Sequence, residues 1–242
     1  MILFFNKLNG QDLHKYSFWK LNYSCDLREI GQAFPQIQGS DGGEWDVMDS
    51  LSVYGQIRYG KSPDITPLFG VLILEDSAER TDFLSAAQFS HHGFVISKKA
   101  KLIFEKYKLG THWFFPVKVR HRNRVFEYYL FHTNNAQLEL FNFSKSEFGC
   151  KPLVKGKSSM ERIKVKDIKS FLSQKRYYQK NRKGYWSCNP TSLYFNFGKY
   201  DSFDIIADRD INIHFYISER LKNELVEKNI TGIEIKKQNL IK

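Results

Sequence analysis

One stretch of this chain occurs twice, and that repeat constrains the fold more than any other feature. Phe94 to Gly110 (FVISKKAKLIFEKYKLG) aligns with Phe215 to Gly232 (FYISERLKNELVEKNITG) without a gap until the final glycine, where the copies slip by one. Each copy follows one physical grammar: an apolar strand, a serine able to cap a helix, about three helical turns, a glycine stop and a further strand. In the first copy Ser97 is the cap, and Ala100, Ile103, Phe104 and Tyr107 share one helical face by their i, i+3, i+4, i+7 spacing. Gly110 ends that helix, and His112 to Val119 follows as a strand in which Pro116 favours an edge or a bend. In the second copy Ser218 caps, Leu221, Leu225 and Val226 point inward, Gly232 stops the helix and Ile233 to Lys236 extends. Asp82-Phe83-Leu84 and Asp204-Ile205-Ile206 precede the two units at nearly equal distances, so the lead-in is expected to be shared.

The remaining segments fill in around this pair. Phe126 to Phe131 and Gln137 to Phe143 are aromatic runs flanking Asn134 and Asn135, the pattern of an antiparallel hairpin. The first third offers strands at 1–8, 51–58 and 68–74, with Gly39 to Gly43 as a loop. Lys151 to Ser159 holds Pro152 and Gly156 and reads as a connection, and Ile163 to Leu172 as a short helix. The expected fold is α+β: a mixed, largely antiparallel sheet with two repeated strand-helix-strand units and helices packed on one face. The expected divisions are a β-rich region at 1–90, the first unit with its hairpin at 91–150, and a basic connection with the second unit at 151–242.

Charge is concentrated. Lys151 to Trp186 carries twelve Lys and Arg against Glu161 and Asp167, nearly the whole of the chain's net +11. One basic face is therefore expected, not a surface that coats polyanions everywhere. Within it Arg176, Tyr177, Tyr178, Arg182, Lys183, Tyr185 and Trp186 interleave cations with aromatics, the residue types that anchor protein interfaces and that also hold nucleic acids. These seven are the candidate partner-binding residues. An acidic protein partner is favoured, and a nucleic-acid-binding module using 175–186 is the alternative, since no zinc-finger or RNP signature accompanies it.

Catalytic and cofactor motifs do not hold up. Gly55 to Ser62 matches the GxxxxGK[ST] phosphate-loop pattern, but Pro67 would stand in the second turn of the helix that loop requires, at a cost of about 3 kcal/mol. His91, His92, His112 and His121 lack metal-ligand spacing, and Asp201, Asp204, Asp208 and Asp210 lack the EF-hand pattern and read as a polar turn. No cofactor, metal or catalytic residue is expected. Cys25, Cys150 and Cys188 are odd in number and widely spaced, which suggests no disulfide framework and fits a reducing cytoplasm. The apolar opening Met1 to Phe5 is too short for a signal peptide, and no run is long enough to span a bilayer, so no membrane partner is expected.

The layout of Phe94 to Pro116, the strand Tyr128 to His132, the stretch Leu140 to Phe148 and Asp204 to Gly232 resembles the immunity proteins of bacterial polymorphic toxin systems. That resemblance implies a small cytoplasmic protein that binds one cognate toxin domain and covers its active site, without catalysis. The family has no catalytic motif to carry over, so it supplies a role and no site.

Overall fold

The computed structural model describes residues 18–42, 69–86, 93–133, 140–153, 159–182, 185–194, 203–208, 211 and 214–237. The strands predicted at 1–8 and 51–58, the phosphate-loop match, and His91, His92, Asp201 and Asp210 lie outside these residues. The fold class is the expected α+β with mixed, mostly antiparallel pairing.

Both copies of the repeat form, but their helices stop short of the glycines expected to end them, at Phe104 and Glu227: Tyr107 falls beyond the first helix, and Asn229, at φ 48°, takes the left-handed turn directly after the second. In the first, β5 (Gly93–Ile96) leads through Ser97 into α2 (Lys98–Phe104), and β6 (His112–His121) returns. In the second, β12 (His214–Ser218) runs into α4 (Glu219–Glu227) and then β13 (Ile233–Lys237). The serine hydroxyls accept from the amides of Ala100, at 3.1 Å, and Leu221, at 3.3 Å, satisfying helix donors left without partners. Gly110 and Gly232 turn the chain out at φ 70° and 78°. At Gly232 a Cβ would lie 2.2 Å from the Phe83 carbonyl, so glycine is required there for space as well as for conformation.

The duplication extends beyond the repeated sequence. In the first copy β4 (Phe83–Leu84) pairs with β5, β5 with β7 (Arg124–Thr133), and β7 with β6, all antiparallel. In the second, β11 (Ile205–Asp208) pairs with β12, β12 with β1 (Phe18–Tyr23), and β1 with β13, again all antiparallel. The registers correspond: Phe94 faces Phe131 as its equivalent Phe215 faces Leu21, and Phe114 faces Phe131 as Ile235 faces Leu21. β1 is thus the second copy's counterpart of β7, supplied from the other end of the chain. The hairpin expected across Asn134 and Asn135 is instead β6–β7, turned at Arg122 and Asn123, where Arg122 takes the left-handed φ of 54°. Leu140 and Phe141 pack elsewhere in the molecule.

The copies meet at a pseudo-twofold contact in which the Phe94 and Phe215 rings lie 4.5 Å apart. Ala100, Ile103 and Phe104 of α2 and Leu221 and Leu225 of α4 are buried in this shared core. Val226, expected to point inward, is 59% exposed because Leu221 and Leu225 already fill the inward stripe. Lys101 lies 5.0 Å over the Tyr129 ring, and its equivalent Lys222 lies 4.2 Å over Trp19, the residue equivalent to Tyr129. The lead-in aspartates act as reciprocal latches. Asp82 accepts from Ser97 Oγ at 2.6 Å and from the Thr231 amide, after the other copy's helix, at 3.1 Å. Asp204 accepts from Ser218 Oγ at 2.6 Å and from the Lys108 amide at 3.0 Å. Asp204 is therefore a buried structural acceptor and not part of a polar turn; burial pushes its carboxyl up, but bonds from Arg220, Ser218 and the Lys108 amide outweigh burial and hold it below 3.8.

Each sheet has a second face, and different segments cover the two. Behind the first copy, Leu84, Val95 and Leu130 pack against Ile37, Phe69, Leu72 and Leu74 of the N-terminal segment. There β2 (Ile37–Asp41) and β3 (Val71–Leu74) extend the sheet to six strands, with β3 parallel to the end of β6. Gly39 and Ser40, expected in a loop, belong to β2, and Pro116 lies on the part of β6 that β3 leaves open. Behind the second copy, Phe18, Ile206 and Tyr216 pack against the segment from Leu140 to Leu193, called here the basic cap. The helices therefore do not all lie on one face: α2 and α4 share the central core, whereas the helix of the cap belongs to a separate sheet.

Candidate partner-binding face

The basic cap is a three-stranded sheet in the order β10-β8-β9, formed by β8 (Glu147–Pro152), β9 (Glu161–Ile163) and β10 (Trp186–Ser192), with α3 (Ile168–Asn181) against it. The helix expected at Ile163 to Leu172 thus starts later and runs farther. Asp167 caps it, accepting from the Ser170 amide at 2.7 Å, while Ser170 Oγ accepts from the Asp167 amide at 3.1 Å. Phe148 lies 5.1 Å from Phe171, seating α3 on the sheet. Cys150 and Cys188 face each other across β8 and β10 and form a disulfide, fully buried beneath α3. This corrects the expectation that none of the cysteines pairs: the strands bring together residues 38 positions apart in sequence.

Helical phase sorts the cations of α3. Lys169, Arg176 and Lys180 fall at i, i+7 and i+11 and form an outward stripe about 16 Å long at 1.5 Å per residue. Phe171 and Tyr178 occupy the opposite, buried side. Arg182 follows as the extended C-cap residue and stays exposed, but its guanidinium donates to Glu161 Oε2 at 3.0 Å and lies 5.5 Å from the centre of the Tyr178 ring and 5.7 Å from that of Trp186. The Tyr178 hydroxyl donates to the same Glu161 oxygen at 2.7 Å, and this bond, with burial second, pushes its phenol up. The Tyr178 and Trp186 rings meet at a tilt of 50°, with centroids 5.2 Å apart. Among the described residues Lys151, Arg162, Lys169, Arg176 and Lys180 have no carboxylate within ion-pair distance.

The predicted site therefore divides. Arg176, Tyr177 and Tyr185 face outward, with Tyr185 84% exposed. Tyr178 is buried and Trp186 half-buried, Arg182 stays exposed while pairing with Glu161 beside them, and Lys183 lies outside the described residues. Expecting all seven on the surface overlooked the turn of the helix, which sends Tyr177 and Tyr178 in different directions. Sequence reasoning also missed Leu153 and Met160, exposed at 62% and 43%. The Leu153 amide donates to the Tyr185 carbonyl at 2.8 Å, and Met160 lies over Gly149, where a Cβ would be 2.5 Å from its Cγ. Only the pairing of β8 with β9 and β10 brings these residues to the same end of the cap.

A second concavity, of about 460 Å³, lies between the copies and is lined by Arg80, Asp82, Lys99, Phe126 and Glu127. Its cations and carboxylates are balanced, and Asp82 is already taken up by its latch. Among the described residues no group of three His, Cys, Asp or Glu is placed to hold a metal ion, and no helix is long and apolar enough to cross a membrane. No protein-family profile and no curated protein matches this chain.

Proposed function

We propose that the protein acts by binding: it is an immunity protein that covers the active site of one cognate toxin domain of a polymorphic toxin system and performs no catalysis itself. The observation that carries the proposal is the sorting of α3, which turns Arg176, Tyr177 and the Lys169–Lys180 stripe outward while Phe171 and Tyr178 hold the helix on its sheet. Anchors held before contact lose little freedom on binding, and a cationic stripe speeds encounter with an acidic surface. The duplicated frame gives this cap a rigid base through Phe18, Ile206 and Tyr216.

The test is co-purification with the toxin domain encoded in the neighbouring open reading frame. Replacing Arg176, Tyr177 and Tyr185 together by alanine is expected to weaken that complex by about tenfold or more for each anchor, with the melting temperature unchanged. Unaltered affinity and unaltered protection would defeat the proposal. Tyr178 and Trp186 are unsuitable for this test because their loss opens the core of the cap. In this proposal the protein acts in the cytoplasm, which would keep Cys150 and Cys188 as thiols, whereas an oxidising compartment keeps the disulfide. Mass spectrometry of alkylated protein taken directly from cells distinguishes the two.

A further inference from the structure

We infer that the first copy carries a second docking site, a slot beside β7 that takes an extended segment of another protein as an added strand, with acidic side chains on one face of that segment. This slot is independent of the basic cap and of the role proposed for it, since the cap packs behind the other copy. β7 pairs with β6 along its whole length, but on its other side β5 covers only Tyr129 to His132. Past Ile96 the chain leaves the sheet through Ser97 and enters α2, so the edge of β7 from Arg124 to Tyr128 has no strand beside it among the described residues. That is about 17 Å of edge at roughly 3.4 Å per residue, the length of one short strand, and its outward amides and carbonyls are a template for pairing.

The concavity of about 460 Å³ between the copies lies along this edge. Its floor is Phe126, Glu127 and Tyr128, and strand alternation gives it two different walls. Phe126 and Tyr128 share the face turned to the N-terminal segment, where Arg80 and Thr81 stand; Glu127 shares the face of Tyr129 and α2, where Lys99 and Asn229 stand. Both walls are fixed before anything binds. The Glu79 amide donates to the Ile30 carbonyl, at the end of α1 (Leu27–Ile30), at 2.7 Å, and the Tyr128 hydroxyl donates to the Thr81 carbonyl at 2.9 Å. Opposite them Lys99 Nζ donates to the Asn229 carbonyl at 3.1 Å. The charges balance in number but not in place. The Arg80 guanidinium lies 4.0 Å and that of Arg124 5.5 Å from the centre of the Phe126 ring, and among the described residues neither has a carboxylate within ion-pair distance. On the other face Lys99 is paired with Asp82, Glu127 adds a negative charge, and Val125, 56% exposed, offers an apolar contact. An added strand therefore meets guanidinium groups with every second side chain and a wall unfavourable to acids with the rest. The matching segment alternates carboxylates with apolar or β-branched residues.

A random peptide library displayed on phage tests this, with selection on the full chain and counter-selection on the double variant Arg80→Glu, Arg124→Glu. Both side chains are exposed, and an unchanged melting temperature checks the fold of the variant. The expected peptides carry Asp or Glu at positions i and i+2, separated by Val, Ile or Thr. The best of them, synthesised and labelled, should lose about tenfold or more in affinity with the double variant, and stay within about twofold with Arg176→Glu plus Lys180→Glu in the cap. N-Methylation of alternate peptide amides separates an added strand from charge attraction alone: methyl groups on the set that faces β7 should abolish binding, and on the other set should leave it nearly intact. Enrichment of basic or purely apolar peptides would overturn the inference, as would no enrichment that the double variant removes. So would indifference to both methylations, or a loss of binding with the cap variant instead. Sedimentation of the chain alone completes the test: a monomer is expected, and a dimer that dissolves on Arg80→Glu, Arg124→Glu would put a second copy in the slot and overturn the assignment of an acidic partner.

Discussion

The two copies of the repeated unit share a backbone frame and differ in almost everything attached to it. The first is assembled locally, with β6 and β7 joined by a two-residue turn, whereas the second takes its equivalent of β7 from β1, more than two hundred residues away. In the first, the outer face is covered by an extension of its own sheet; in the second, it is covered by a separate sheet and helix with a strong positive charge. What the copies keep is the part that physics requires of both: a serine cap, a left-handed glycine before the return strand, an aspartate latch, and an aromatic ring under a lysine. What they do not share is the outer surface, and that is where the proposed binding face lies.

The strongest challenge to this equivalence is at the pseudo-twofold contact. Phe94→Ala and Phe215→Ala should each destabilise the protein by about 3–5 kcal/mol in chemical denaturation, because each leaves a cavity in the same core. Their double variant should cost less than the sum, since the two rings share one space. Full additivity would mean that the rings do not meet.

The latches provide a finer comparison. Asp204 is almost wholly buried and serves Ser218, Arg220 and the Lys108 amide, while Asp82 is more open. Asp204→Ala should therefore cost about 2–4 kcal/mol and Asp82→Ala about half as much, again by denaturation. Acid should narrow the gap. The folded-state value of Asp204 is depressed, so its contribution is fully present above the ordinary 3.8 and is lost as pH falls through the lower folded value. Asp204→Asn should remove that part of the acid sensitivity, and Asp82→Asn should leave it in place.

The smallest expected effect is at the paired cation–ring contacts. Lys101→Ala and Lys222→Ala should each cost less than about 1 kcal/mol, the second slightly more because its ring is nearer. A difference of several kcal/mol between them would show that the two positions are not equivalent.

How much of this was legible in the sequence follows from how local each signal is. Ser97, Gly110, Ser218 and Gly232 act within a few residues of themselves, so the repeated unit could be read directly, as could the lead-in aspartates. The place of β1 was not legible, because nothing in Phe18 to Tyr23 specifies a partner two hundred residues away. The hairpin was misplaced because Asn134 and Asn135 are stronger turn residues by type than Arg122 and Asn123, yet the pairing of Trp113 to His121 with β7 decided it. The basic segment was found by composition, but composition has no direction. Only the seating of Phe171 and Tyr178 in the core reveals which of its cations point outward, and only the pairing of β8 with β9 and β10 brings Leu153, Met160 and Tyr185 to one end of the sheet.

If β1 is the missing fourth strand of the second copy, a circular permutant should tolerate a new order of segments. Its chain would open between Thr133 and Leu140 and join Lys242 to Met1, so that each four-strand unit becomes continuous. Thermal melting followed by far-UV circular dichroism measures this directly: the expected result is a native-like spectrum and a cooperative transition within about 5–10 °C of the parent protein. An unfolded chain, or one lacking a cooperative transition, would contradict it.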